Sequence, residues 1–181
     1  MLQIWLIIQR RQIRQPETDY LAVPEVSSQN RKYIPIGFLP ADIIASNKLY
    51  LVPEASLYMF GVMMSNIHMA WMRMTAGRLK SDYSYSPAVY NNFPWPTPTD
   101  EQKAKIEQTA QAILDARALY PDCSLADLYD EVTMPPELRR AHQANDKAVM
   151  QAYGFWGKLN TETACVAELM KMYQELVKNN G

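Results

Sequence analysis

Cysteine and histidine are scarce in this sequence, and the few present stand far apart. The 181 residues include two cysteines, Cys123 and Cys165, and two histidines, His68 and His142. They form no Cys-x-x-Cys pair and no His cluster at ligand spacing, so the sequence predicts neither a disulfide framework nor a zinc site. A catalytic site centred on histidine is disfavoured on the same spacing.

Long apolar runs and a strong charge imbalance are also absent. Residues 2–8 are too few to span a bilayer, and the arginines follow this run instead of preceding it as in a signal peptide. We interpret the run as a buried β-strand and expect no membrane partner and a cytoplasmic location. The net charge is −1, but residues 1–98 hold nine Lys or Arg against six Asp or Glu, while residues 99–181 hold nine against thirteen. If either part contacts phosphate, the first part is the one expected to do so.

The composition changes near Pro98, which suggests two parts. Residues 1–98 are rich in β-branched and aromatic residues, and residues 99–181 are rich in helix formers. We predict an α+β fold in which a small mixed sheet with a packed amphipathic helix is followed by a C-terminal helical bundle. Strands are expected at residues 20–24, 33–39 and 49–52. The helix is expected where apolar residues recur every three or four positions before Gly77, at Leu57, Phe60, Met64, Ile67, Trp71 and Met74.

The second part contains signals for three helices. Thr99 and Gln102 have the spacing of a capping box, in which each side chain bonds to the backbone of the other residue. A second helix is expected from residue 133 or 135 to Tyr153, closed by Gly154. A third is expected from residue 160 or 161 to about Lys178.

Two polar segments of the first part have the composition of a nucleic-acid contact. Residues 77–86 contain basic, serine and tyrosine side chains, although the same composition fits an ordinary solvated loop after a helix. Residues 27–32 lie between candidate strands, where a hairpin turn with a solubilising charge is the commoner explanation. Our candidate DNA-binding residues are Gln29, Asn30, Arg31, Lys32, Arg78, Lys80, Ser81, Tyr83 and Tyr85. The basic members are expected to contact phosphates, and the Gln29-Asn30 pair and the two tyrosines are expected to contact bases.

The sequence Asn92-Phe93-Pro94-Trp95 is similar to a catalytic motif of adenine methyltransferases, Asn-Pro-Pro followed by an aromatic residue. Phe93 replaces the first proline, and no glycine-rich turn for S-adenosylmethionine precedes it. We interpret the segment as a strand that leads into a proline-stiffened linker. We therefore expect no catalytic residue and no cofactor in this chain.

Several segments in order resemble one known group of proteins. They are 31–39, 69–71, 77–86 and 90–96 in the first part, and 125–130, 134–138, 141–149 and 153–154 in the second. Together they resemble the target-recognition and C-terminal regions of MmeI-like adenine-specific DNA methyltransferases, the type IIL restriction-modification family. The resemblance covers residues 19–178 and leaves residues 1–15 unmatched.

The resemblance implies a division of labour. It implies an upstream methyltransferase domain that binds S-adenosylmethionine, with or without a fused endonuclease. Residues 1–98 would be the DNA target-recognition part, incomplete at its N-terminus, and residues 99–181 the C-terminal helical part. The implied partners are double-stranded DNA and the upstream domain of the same bacterial protein. The alternative is an interaction or scaffold module that docks a methyltransferase or nuclease domain, and the near-neutral net charge is compatible with it.

Overall fold

The computed structural model describes residues 16–180, and the strand predicted at residues 2–8 lies outside that range. The strands are β1 (Tyr20–Pro24), β2 (Val26–Ser27), β3 (Gly37–Leu39), β4 (Leu49–Val52), β5 (Gly77–Leu79) and β6 (Asp82–Ser84). The helices are α1 (Leu57–Met63), α2 (Asn66–Thr75), α3 (Pro87–Asn91), α4 (Asp100–Ala118), α5 (Leu125–Leu128), α6 (Pro136–Ala152) and α7 (Glu162–Asn180). None of the helices within residues 16–180 combines the length and the apolar character needed to cross a bilayer.

The strands form two three-stranded antiparallel sheets, ordered β3-β1-β4 and β2-β6-β5. This confirms the α+β class, but the predicted small mixed sheet is in fact two antiparallel ones. The strands predicted at 20–24 and 49–52 are confirmed, whereas only the end of the segment 33–39 is a strand. The reason lies at Pro35, which has no N–H for a ladder, and at a tight turn in which the Ile36 amide donates to the Ile34 carbonyl over 2.9 Å.

The amphipathic segment after β4 is two helices instead of the single predicted one. The break falls at Ser65, whose hydroxyl donates to the Val62 carbonyl and caps α2 by accepting from the His68 amide. The apolar periodicity continues across the break because both helices bury their side chains. The helix ends where predicted, since α2 ends at Thr75 and Ala76 is its C-cap directly before Gly77, but Gly77 also begins β5.

The helix limits of the second part follow the sequence signals. The capping box is confirmed, with the Gln102 amide donating to Thr99 Oγ1 over 3.2 Å and the Thr99 amide to Gln102 Oε1 over 2.9 Å. Gly154 follows the end of α6 with a φ of +71°, a conformation that favours glycine. The bundle is built by packing α4 on α6, while α7 packs on α2 of the first part.

The two parts share one hydrophobic core. Phe60 and Met64 of the first part belong to the same buried cluster as Ile106 and Leu138 of the second. Close approach of α1 to α4 depends on Gly61, because a Cβ atom there would lie 2.7 Å from Ile106 Cγ2. The composition change near Pro98 therefore does not separate two independent cores.

A buried hydrogen-bond network centred on Tyr129 and His142 also joins the parts. Arg117 of α4 donates to the Tyr129 hydroxyl and to the Ile36 carbonyl. His142 lies 2.7 Å from the Tyr129 hydroxyl through Nε2 and 3.2 Å from the Met64 carbonyl through Nδ1. Burial lowers the pKa of His142 to about 3, so the imidazole is neutral at physiological pH.

Asp146 of α6 extends this network to Tyr33, in the segment that leads into β3. Its carboxylate accepts from the Tyr33 hydroxyl over 2.6 Å and from the Asn66 amide over 2.7 Å. The Tyr33 ring also stacks on His142, with ring centroids 4.0 Å apart. Burial raises the pKa of Asp146 to about 6, although both hydrogen bonds act in the opposite direction. Residues 33–36 are thus held in place by side chains of the helical part.

Candidate nucleic-acid interface

Pairing of β2 with β6 brings the two predicted polar segments together. Ser27 is the register partner of Tyr83, so the loop at residues 28–32 begins beside the turn that joins β5 to β6. The backbone N–H of Gln29 donates to Asp82 Oδ1 over 3.3 Å and connects the loop to that turn. Both segments lie at the same end of the second sheet, which we call the polar sheet end.

Residues 77–84 form a β-hairpin. The sequence alone left two alternatives for this segment, a nucleic-acid contact or an ordinary solvated loop. Lys80 occupies the turn with a φ of +56°, a left-handed conformation that is uncommon for a non-glycine residue. The Arg78 guanidinium donates to the Ser81 carbonyl over 2.9 Å and lies 3.9 Å from the centroid of the Tyr83 ring. These two contacts position the Arg78 guanidinium, while Arg78, Lys80 and Ser81 stay exposed.

The two tyrosines do not lie where the sequence analysis expected them. Tyr83 is only 6% exposed and Tyr85 only 2%, so neither ring can meet a base in this conformation. The Tyr85 hydroxyl lies 3.0 Å from His68 Nε2, and Tyr83 lies under Arg78. Burial raises the pKa of Tyr85 well above its ordinary value and lowers the pKa of His68 to about 4. The prediction that these tyrosines contact bases is therefore inconsistent with the structure.

The loop at residues 28–32 is a compact turn with outward side chains. The backbone N–H of Asn30 donates to Ser28 Oγ over 3.3 Å, and the backbone N–H of Arg31 donates to the Ser28 carbonyl over 3.2 Å. The side chains of Gln29, Asn30 and Lys32 are exposed, and Arg31 is half-buried. The loop backbone is thus held by local hydrogen bonds, while the side-chain amides and the basic side chains of the loop face solvent.

The charge at the polar sheet end is positive although the described first part is balanced. Arg10, Arg11 and Arg14 lie outside the described residues, and residues 16–98 hold six basic and six acidic side chains. At the sheet end, residues 28–32 and 78–82 hold four basic side chains, Arg31, Lys32, Arg78 and Lys80, and one acidic side chain, Asp82, a local excess of three. None of these four cations is in a salt bridge within residues 16–180, where the ion pairs are Arg73 to Glu162, Arg140 to Glu137 and Lys171 to Glu168.

The segment Asn92-Phe93-Pro94-Trp95 packs against the core, and the strand predicted there is wrong. Asn92 ends α3 and is exposed. Phe93 is buried against His68, Trp71 and Trp95, and the Pro94 carbonyl accepts from the Tyr153 hydroxyl over 2.8 Å. The proline and aromatic residues thus tie the first part to the end of α6. Within residues 16–180, no group of three or more His, Cys, Asp or Glu side chains is arranged to hold a metal ion.

Comparison with known proteins assigns both parts. Residues 6–97 match the family described as "MmeI, target recognition domain", and residues 98–180 match "MmeI, C-terminal domain". The chain belongs to the MmeI family. A DNA methyltransferase A of Bacillus subtilis (strain 168) is 42% identical over 163 residues, which cover 89% of this chain and 18% of that protein.

The fold is shared with a solved member of the family. A structure of the type IIL restriction-modification enzyme MmeI in complex with DNA superposes with a TM-score of 0.85 at 52% identity. The match covers 91% of this chain and 22% of that one. The chain therefore spans about a fifth of the length of these relatives and has the target-recognition and C-terminal regions of the family.

Proposed function

We propose that this chain is the target-recognition and C-terminal portion of an adenine-specific DNA methyltransferase of a restriction-modification system, and that it contacts duplex DNA through the polar sheet end. The observation that carries the proposal is the pairing of β2 with β6, which brings four cations without carboxylate partners to one exposed surface. Membership of a family defined by target recognition supports DNA as the partner.

The side chains divide into two roles. Arg31, Lys32, Arg78 and Lys80 bind phosphates, because none of them has a carboxylate partner within residues 16–180 and each can replace a counterion of DNA. Gln29 and Asn30 present amides that can pair with base edges, and the Ser81 hydroxyl adds a hydrogen bond near the turn. Tyr83 and Tyr85 have no direct role and support the hairpin from below.

The parent protein divides recognition and catalysis between this chain and another domain. In this chain, residues 1–98 act as the recognition part and residues 99–181 as the helical part that supports it. A domain upstream of this chain binds S-adenosylmethionine and transfers the methyl group in the bacterial cytoplasm. This division is supported by the share of the relatives that the chain spans and by the lack of a glycine-rich cofactor motif in the sequence.

Substitution of Arg78 and Lys80 tests the proposal. The variant Arg78→Gln with Lys80→Gln removes two charges, and it also removes the guanidinium that lies over the Tyr83 ring. Binding of the chain to a fluorescent duplex is measured by anisotropy between about 50 and 200 mM salt, with dissociation constants expected in the nonspecific range of about 1 μM to 0.1 mM. The slope of log affinity against log salt should fall by about 0.9 for each lost phosphate contact, or about 1.8 in total.

A matched control removes the same charge elsewhere. Lys48→Gln with Lys103→Gln changes two exposed lysines that have no salt bridge among the described residues. The control should bind as the wild type does. A salt slope for the Arg78 and Lys80 variant equal to that of the control would exclude the hairpin turn from the DNA contact.

A further inference from the structure

The exposed side of α6 next to Tyr33 carries polar residues at helical spacing. Arg139, Gln143 and Lys147 are four residues apart, so they follow one line along the helix over about 12 Å. Trp156 lies beyond them, half-exposed, and Lys147 Nζ lies 5.3 Å from the centroid of its ring. We call these four residues the α6 stripe.

The α6 stripe is adjacent to the polar sheet end. Tyr33, which follows Lys32, is bonded to Asp146 and stacked on His142 of α6. Burial raises the pKa of Asp146 and of Tyr33, and Lys32 lies near enough to oppose this rise at Asp146, as Arg139 does at Tyr33. The basic loop and the stripe are therefore neighbours on one side of the molecule.

The acidic side chains of α6 are engaged in hydrogen bonds, which leaves this stripe cationic. Asp146 is buried with Tyr33 and the Asn66 amide, and Glu137 accepts from Tyr120 and Arg140. Arg139 bonds only to the Glu131 backbone carbonyl, and neither Arg139 nor Lys147 is in a salt bridge within residues 16–180. The helical part has more acidic than basic side chains overall. Its composition therefore does not reveal a cationic stripe next to the loop at residues 28–32.

We propose that the α6 stripe is a second DNA-binding surface, which extends the polar sheet end onto the helical part and binds the sugar-phosphate backbone of the same duplex. Charge complementarity and continuity with Lys32 identify the backbone as the occupant. The Lys147 ammonium lies over the half-exposed Trp156 ring, and Gln143 donates to a phosphate oxygen between the two cations. The inference rests on the proposed DNA-recognition function and adds the helical part to the interface.

Lysine footprinting on the wild-type chain tests the inference residue by residue. The chain is acetylated with and without a saturating duplex of about 20 base pairs at low salt, and mass spectrometry measures the modification of each lysine. Lys147, Lys32 and Lys80 should all be protected. Lys178 on α7, which packs on α2, is the internal control and should react equally in both samples.

A charge substitution gives the second readout. Lys147→Gln should lower the salt slope by about 0.9 and weaken binding at about 0.1 M salt by up to about eight-fold, since affinity scales as the 0.9 power of salt for each contact. Lys178→Gln is the matched control on a helix away from the stripe.

The outcomes separate the two proposals. Protection of Lys80 without Lys147, together with a wild-type slope for Lys147→Gln, would overturn the second surface and leave the polar sheet end in place. Protection of Lys147 without Lys80 would support the α6 stripe and remove the hairpin from the interface. Protection of neither lysine would overturn both.

Discussion

Gly61 of α1 provides a direct test of the shared core. A Cβ atom at this position would lie 2.7 Å from Ile106 Cγ2, 3.1 Å from Ala110 Cβ and 3.2 Å from Asn145 Oδ1. Ile106 is fully buried and β-branched, so Cγ2 cannot move without displacing the whole side chain. Gly61→Ala should therefore force α1 away from α4.

The size of the effect follows from two opposing terms. Alanine is better than glycine in a helix interior by about 1 kcal/mol. Overpacking a core costs about 1–3 kcal/mol, and a contact as short as 2.7 Å belongs in the upper half of that range. The free energy of unfolding should thus fall by about 1–2 kcal/mol, which lowers the melting temperature by roughly 2–8 °C in a chain of this size.

Urea unfolding and thermal melts measure the effect, with two further variants as references. Gly37→Ala is the matched control, because the nearest atoms to its new Cβ would be at an ordinary 3.5 Å. Ile106→Leu lacks the clashing Cγ2, so in that background the cost of Gly61→Ala should fall by about 1 kcal/mol. A Gly61→Ala chain that is as stable as the wild type would show that α1 and α4 do not interlock.

Two further predictions concern the caps and the buried carboxylate. Thr99→Ala should lower the free energy of unfolding by about 1 kcal/mol through loss of the capping box, with Thr97→Ala as control, and an unchanged melt would contradict the cap. The pKa of Asp146 is raised by burial from 3.8 to about 6, so ionised Asp146 costs the folded chain up to about 3 kcal/mol as pH rises from about 4 to 7. Asp146→Asn should remove that loss, and the difference in urea stability between wild type and variant should move in favour of the variant over this pH range; a constant difference would refute the assignment.

Local signals in the sequence were sufficient for much of the fold. The capping box of Thr99 and the helix end at Gly154 depend on residues within a few positions, and both are confirmed. The break at Ser65 was missed because the apolar spacing continues through it and a buried serine gives no periodic signal. Gly77 marked the helix end correctly, but the strand that it begins was missed because glycine after an apolar helix gives no signal that distinguishes a strand from a loop.

The candidate site depended on contacts that span much longer distances in sequence. Ser27 and Tyr83 are paired across the second sheet, and Tyr33 bonds to Asp146 across 113 positions. No local pattern predicts either contact. The burial of Tyr83 and Tyr85 had a weak signal, the alternation of aromatic and polar residues from Asp82 to Tyr85, but four residues are too few to distinguish a strand from a polar loop.

In the proposed interface, the residues that anchor the loop to the core are not the residues that face solvent. The loop at residues 28–32 lies between β2, paired to β6, and Tyr33, fixed by Asp146 and His142. Because both ends of the loop are tied to the core, its exposed side chains carry little of the folding energy. Substitutions at Gln29 or Asn30 should therefore leave the chain folded, whereas substitutions at Tyr33 should change stability first. If the proposed interface is correct, substitutions at Gln29 or Asn30 should alter DNA preference, because a fixed frame with replaceable surface residues would let one fold recognise different DNA sequences.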